Sequence, residues 1–271
     1  MRSIRDIYKI GKGPSSSHTM GPAFCAEQFM EEHPEADSFK AILYGSLSKT
    51  GKGHGTDRVL VDTFAPKAVE VVFSEKDPAD MKHPNTLDLI AIKKGAEVAR
   101  QRYESIGGGD IVVEGRSKAK EEDVYMENSF AEIKQFCTFR YVDLVQYIEL
   151  SEGKEIWDFL QKVWEAMQNE IHEGLSREGL LPGPLHVHRK AKFLHEQVPQ
   201  NKHAELVERQ QVCSCAYACS EQNAVNGIIV TAPTCGSCGV LPAGLYYLKD
   251  KRKLTDDQIV RCLGVAGLFG E

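Results

Sequence analysis

The chain has 271 residues, 42% hydrophobic, 27% charged and 8% aromatic, enough to bury one or two cores. Its 33 Lys and Arg stand against 39 Asp and Glu, a formal charge of −6 that is the wrong sign for a polyanion and excludes nucleic acid as an expected partner. Apolar runs are short and broken by charge, and the opening MRSIRDIYK has no apolar stretch, so a membrane span and an export signal are not expected and a cytoplasmic protein is.

The first conspicuous segment runs from Gly11 to Thr19, where flexible glycines lead into Ser15, Ser16, Ser17, His18 and Thr19 ahead of a helical pattern. Backbone N–H groups and hydroxyls at such a helix start can converge on a carboxylate or phosphate. An elaborate helix cap is the plainer reading, but a single Ser would suffice for that, so the anion site is favoured.

Phe39 to Tyr44 is a short β-rich run. The segment from Gly45 to Asp57 invites comparison with a P-loop, yet Gly45 lies one residue too far from Gly51 and Lys52, and Gly53 stands where that motif needs a hydroxyl. What remains is His54 between glycines. A titrating imidazole with room for substrate and a solvated loop histidine account equally well for this segment.

Ala68 to Phe73 alternates only in part, which predicts a largely buried strand. Leu87 to Ile92 and Asp110 to Val113 are further strands, the latter after the breaker Gly107 to Gly109. The segments His83, Pro84, Asn85, Thr86 and Ser105 to Gly109 read individually as turns. A small sheet with helices on one side is the economical arrangement.

Beyond Met126 the spacing becomes helical. Ile156, Leu160, Val163, Met167 and Ile171 share one face of a helix from about Glu155 to Leu175. Thr255 with Gln258 predicts a capping box opening a last helix. The fold class is therefore α+β: a front α+β domain with a small sheet over 1–145, then an all-helical domain over 146–271.

Eight cysteines without an export signal suggest thiols or metal ligands rather than disulfides. Cys25 and Cys137 stand alone, and the other six lie near the C-terminal end. Cys235 and Cys238, with glycines between and after them, can face one metal, and a redox pair is conceivable although no βαβ pattern surrounds them. Zinc needs a second ligand pair. Cys213, Cys215 and Cys219 do not provide it, because an apparent helix points Cys215 and Cys219 one way and Cys213 partly another; buried small residues are the expectation there.

Taken together, these segments resemble the bacterial iron–sulfur L-serine dehydratases. Ser3 to Pro22 resembles the family's opening, and Tyr44 to Asp57, His83 to Asn85, Tyr103 to Gly109 and Thr231 to Ala243 follow in the family's order. The resemblance implies a PLP-independent β-elimination that converts L-serine to pyruvate and ammonia on a [4Fe-4S] cluster, an ammonia-lyase of amino-acid degradation and gluconeogenesis. It implies His54 and His18 as catalytic acid or base candidates, and Ser15, Ser16, Ser17, Thr19, His83 and Asn85 around the substrate. Cys238 corresponds to a cluster ligand, with Cys235 a second choice.

In relatives the other cluster cysteines lie beyond the point where this sequence ends, and neither Cys262 nor the Cys213 to Cys219 group corresponds to them. The expectation is therefore a truncated catalytic domain, inactive alone and without an ordered cluster, the alternatives being a partner chain that completes the site or a chain that holds no cluster; a homodimer is the expected assembly. No lysine stands in a recognisable PLP context. The competing reading is a non-catalytic protein that senses an amino acid or binds a metal through thiols.

Overall fold

The computed structural model describes residues 1–116, 123–197 and 204–271. Helices and a five-stranded sheet make the expected α+β class. The chain packs as two units, one of Lys12–Ala119 and one of Met1–Gly11 with Lys120–Glu271. The packing units thus divide elsewhere than at the expected domain boundary near 145, because Ile4, Ile7, Tyr8, Tyr125 and Ile133 belong to the helical core. Strand β1 (Ile10–Lys12) lies where the chain passes from one unit to the other.

In the sheet unit, a turn of π-helix at Ser16–Met20 runs into α1 (Gly21–Glu32). Then come β2 (Ser38–Leu43), α2 (Gly45–His54), α3 (Thr56–Phe64), β3 (Ala68–Phe73), β4 (Thr86–Lys93), β5 (Ala96–Gly107) and β6 (Asp110–Val113). The sheet order is β3-β2-β4-β5-β6, with β2 and β3 parallel and the remaining pairs antiparallel.

Register explains the one-sided covering. Phe39 lies opposite Ala91, Ala41 opposite Leu89 and Leu43 opposite Leu87, so the period of two puts all six on the same face. That face is buried against Phe29 of α1, Leu47 of α2, and Leu60 and Phe64 of α3. The opposite face carries charge, including Asp88, whose carboxylate is gripped by Arg102 at 2.8 and 3.2 Å and accepts from the Tyr44 hydroxyl at 3.1 Å.

Two expectations need correction. Ala68–Phe73 is a strand, but an edge strand: Ala68 and Glu70 are exposed and the others half-buried, since only β2 flanks it. Of the turn expected over Ser105–Gly109 only Gly108 and Gly109 are turn, and Ser105–Gly107 end β5, a twelve-residue strand that the sequence did not announce.

The helical unit comprises α4 (Phe130–Arg140), α5 (Leu144–Glu152), α6 (Glu155–Ser176), α7 (Ala191–Glu196), α8 (Ala204–Ala224), β7 (Ile228–Val230), α9 (Val240–Arg252) and α10 (Asp256–Gly270). Helix α6 is the expected amphipathic element, and its stripe Ile156, Leu160, Val163, Met167 and Ile171 is fully buried. The capping box at Thr255 and Gln258 is present. The N-terminal segment is bound into this unit, with Tyr8 OH donating to Leu263 O at 2.9 Å and Thr231 N–H to Lys9 O at 3.0 Å.

Candidate active site

The polar segment before α1 is a tightly self-bonded turn. Ser15 has extended backbone and its Oγ accepts the His18 N–H at 3.3 Å, capping the π-helical turn. Thr19 is fully buried, its Oγ1 lying 2.6 Å from the carbonyls of both Lys12 and Ser15, so it braces the turn from inside. Ser15 and Ser17 instead present their hydroxyls to the His18 ring, 3.3 and 3.0 Å from Nδ1. Ser16 is half-buried at the start of the turn.

On the other side of that ring lies α2. His54 is therefore not on a loop: it is the last residue of a helix that stops at Gly55, which has φ +78°. Ser46, Thr50 and His54 recur every fourth residue on one face. Ser46 Oγ and Thr50 Oγ1 each lie 3.0 Å from His18 Nε2, and the His54 ring stacks on His18 with centroids 4.5 Å apart. His54 Nδ1 is 2.9 Å from the Thr50 carbonyl, and Thr56 Oγ1 donates to His18 O at 2.6 Å. Burial first, and then the neighbouring His54, push the His18 pKa below its ordinary 6.5 against a smaller raising effect of the Ser46 backbone.

The two weak segments close this arrangement. A Cβ on Gly45 would sit 2.4 Å from Pro84 O, and Ser46 N–H donates to that oxygen at 2.7 Å, so the His83–Asn85 loop lies directly against the start of α2. His83 Nδ1 accepts the Asn85 N–H at 3.1 Å, and Asn85 Nδ2 donates to Ser105 O at 3.3 Å. Four of the five segments noted in the sequence meet in the sheet unit. Sequence reasoning missed Ser46, Thr50 and Thr56; the four-residue spacing from 46 to 54 was the available signal, hidden by the glycines that made this stretch look like a loop.

The fifth segment belongs to the helical unit. Cys235–Ser237 forms one tight turn before Cys238, and both thiols are buried, at 2% and 1% exposure. Next to them lie Glu170 of α6 and Cys219 of α8. Glu170 is 2% exposed, its Oε2 accepts the Val230 N–H at 3.2 Å, and burial pushes its carboxyl up to about 8 despite the thiols of Cys219 and Cys238 beside it. Burial and then Glu170 push the Cys235 thiol up to about 12, and those of Cys219 and Cys238 are raised as well. Cys215 and Cys219 are buried as expected, but Cys213 is exposed, because its place on the helix turns it away from the packed face to which Cys215 and Cys219 belong.

A four-iron cluster with one open iron takes three thiolates. Among the described residues no group of three His, Cys, Asp or Glu is disposed to hold a metal ion. The donors present among the described residues therefore do not fit the complete group. Glu170, an acid inside an apolar stripe, and Cys219 are the neighbours that sequence reasoning did not connect with Cys235 and Cys238.

The model of the serine dehydratase alpha chain matches residues 42–271, and that of the beta chain matches residues 3–71. The chain belongs to the serine dehydratase family. It is 32% identical to the L-serine dehydratase TdcG of Escherichia coli and 33% to an L-serine dehydratase of Haemophilus influenzae, over 100% of this chain and 71% of each relative. An L-serine dehydratase of Streptomyces coelicolor is 29% identical over 99% of this chain and 70% of its own length. Within the serine dehydratase match, Ser15 to Thr19 fall in the beta-chain region alone, His54 in the overlap of the two, and Cys238 in the alpha-chain region.

Proposed function

We propose that the chain serves the PLP-independent β-elimination of L-serine to pyruvate and ammonia. The carrying observation is the stacked pair His18 and His54, ringed by the hydroxyls of Ser15, Ser17, Ser46 and Thr50. In this reading the substrate carboxylate is held at the turn of Ser15, Ser16 and Ser17, whose shape Thr19 fixes, by backbone N–H groups and the Ser16 hydroxyl, with His83 and Asn85 nearby. A backbone carbonyl can only accept, so His54 donates Nδ1–H to Thr50 O, and the ring's lone pair then falls on Nε2.

That lone pair takes the Cα proton. The Cα electrons form the Cα–Cβ double bond as the β-hydroxyl departs, leaving as water with the proton returned from the His54 ring, and the resulting aminoacrylate tautomerises and hydrolyses to pyruvate and ammonia. His18 has protein hydroxyls at both ring nitrogens and is the organiser of the site rather than its base. The reading includes an iron–sulfur cluster to which this chain offers Cys238, with Cys235 as the alternative, other ligands coming from a longer polypeptide, a second copy or a partner chain.

Pyruvate release from L-serine under anaerobic conditions, by the polypeptide that contains this chain after iron and sulfide reconstitution, tests the proposal. Loss of turnover in His54→Ala with the iron content kept is expected. Full turnover in that variant removes His54 as the base, and full turnover after stripping the iron overturns the iron–sulfur part.

A further inference from the structure

We propose that Thr50 is a positioning residue that sets opposite tautomers in the two stacked histidines, using its hydroxyl for His18 and its carbonyl for His54. This deepens the reading above and rests on it for its catalytic meaning. The Thr50 hydroxyl has a single proton, and the Ser46 carbonyl, which can only accept, lies 2.8 Å away one turn earlier. With its proton given there, Thr50 Oγ1 turns a lone pair toward His18 Nε2 at 3.0 Å, which pairs with Nε2–H, and Ser46 Oγ, at the same distance, is able to accept from that N–H as well.

The other side of the His18 ring agrees. Ser15 Oγ already accepts the His18 backbone N–H, so its proton points elsewhere, and Ser17 Oγ lies 3.0 Å from Nδ1. Two hydroxyls with protons to give face Nδ1, which is then the acceptor. Because burial keeps His18 neutral to lower pH than an ordinary imidazole, the choice of tautomer governs its behaviour at neutral pH. The Thr50 carbonyl, 2.9 Å from His54 Nδ1, imposes the reverse choice on the second ring. One residue thus directs the lone pair of His18 to the serine hydroxyls and that of His54 to Nε2.

Ring-nitrogen NMR of the chain labelled with ¹⁵N-histidine tests this without substrate, His18→Gln and His54→Gln assigning the signals. The expected result is Nε2–H for His18 and Nδ1–H for His54. Thr50→Val keeps the shape and the carbonyl but removes the hydroxyl, so His18 should lose its Nε2–H preference while His54 keeps its tautomer, and Thr50→Ser should restore both. A His18 protonated on Nδ1 in the unaltered chain overturns the proposal even if the Val variant does not fold. So does a Val variant in which His18 is unchanged or both rings change together. Since tautomers are read apart from turnover, a chain with the expected tautomers that never acts on serine fails the proposed function and leaves this inference standing.

Discussion

The rings of His18 and His54 stack with their planes 29° apart and their centroids 4.5 Å apart, close enough that a proton on one opposes a proton on the other. Burial of the His18 ring is the larger cause and this repulsion the second, so folded His18 takes up a proton only at a pH lower than its ordinary 6.5. As pH falls through 6.5 the unfolded chain binds the proton first, and folding stability declines until the folded ring is also protonated. Urea midpoints measured across that acid range should fall for the unaltered chain and fall less for His18→Gln. Equal slopes for the two proteins would contradict the assignment of this acid sensitivity to His18.

Gly21 opens α1 where β5 passes. A Cβ there would lie 1.9 Å from Ser105 Oγ and 2.8 Å from Ser105 Cβ, and rotating the hydroxyl away relieves only the first clash. Gly21→Ala should therefore cost about 1–3 kcal/mol, the usual range for overpacking. Ser105→Gly removes both atoms, so the double variant should recover much of the loss. Denaturant unfolding of the four proteins forms the test; additive losses would show that the strain lies elsewhere.

What could be read in advance follows from which interactions are local. The α6 stripe, the Thr255–Gln258 box and the strands at β2, β4 and β6 are legible because a single face or a single cap decides them. Strand β5 was hidden because Glu97, Arg100, Arg102 and Glu104 give it the composition of a solvated loop, and its partner for Arg102 is Asp88, fourteen residues away. Helix α2 was hidden by Gly45, Gly51 and Gly53, poor helix formers by propensity. The fold needs two of them: side chains at Gly45 and Gly51 would meet Pro84 O at 2.4 Å and Thr56 Oγ1 at 2.9 Å. His18 and His54 were visible as motif residues, whereas their stacking and the hydroxyls between them depend on α2 being a helix.

Thiol accessibility divides the cysteines sharply. Cys213 and Cys262 are exposed, Cys137 is half-buried, and Cys25, Cys215, Cys219, Cys235 and Cys238 are buried with raised thiol pKa values. Only a thiolate attacks an aromatic disulfide reagent. The metal-free chain should show a fast phase from Cys213 and Cys262 and a slow phase limited by opening of the fold, with all eight reacting in denaturant. Mass spectrometry that finds Cys238 labelled in the fast phase would mean that the turn at Cys235–Ser237 is open to solvent.

Helices α6 and α8 meet backbone to backbone at Gly174, where an added Cβ would come within 2.4 Å of Ala218 O and 2.6 Å of its Cα. Backbone cannot swing aside as a side chain does, so Gly174→Ala must separate the two helices. Its effect should reach Cys219, the next residue on α8, and hence the buried contact of Cys219 with Glu170. A loss of about 3 kcal/mol, at the upper end for overpacking, is expected in denaturant unfolding. Faster labelling of Cys219 should accompany it. Unchanged stability and unchanged Cys219 protection together would show that the α6–α8 crossing is looser than the described contact.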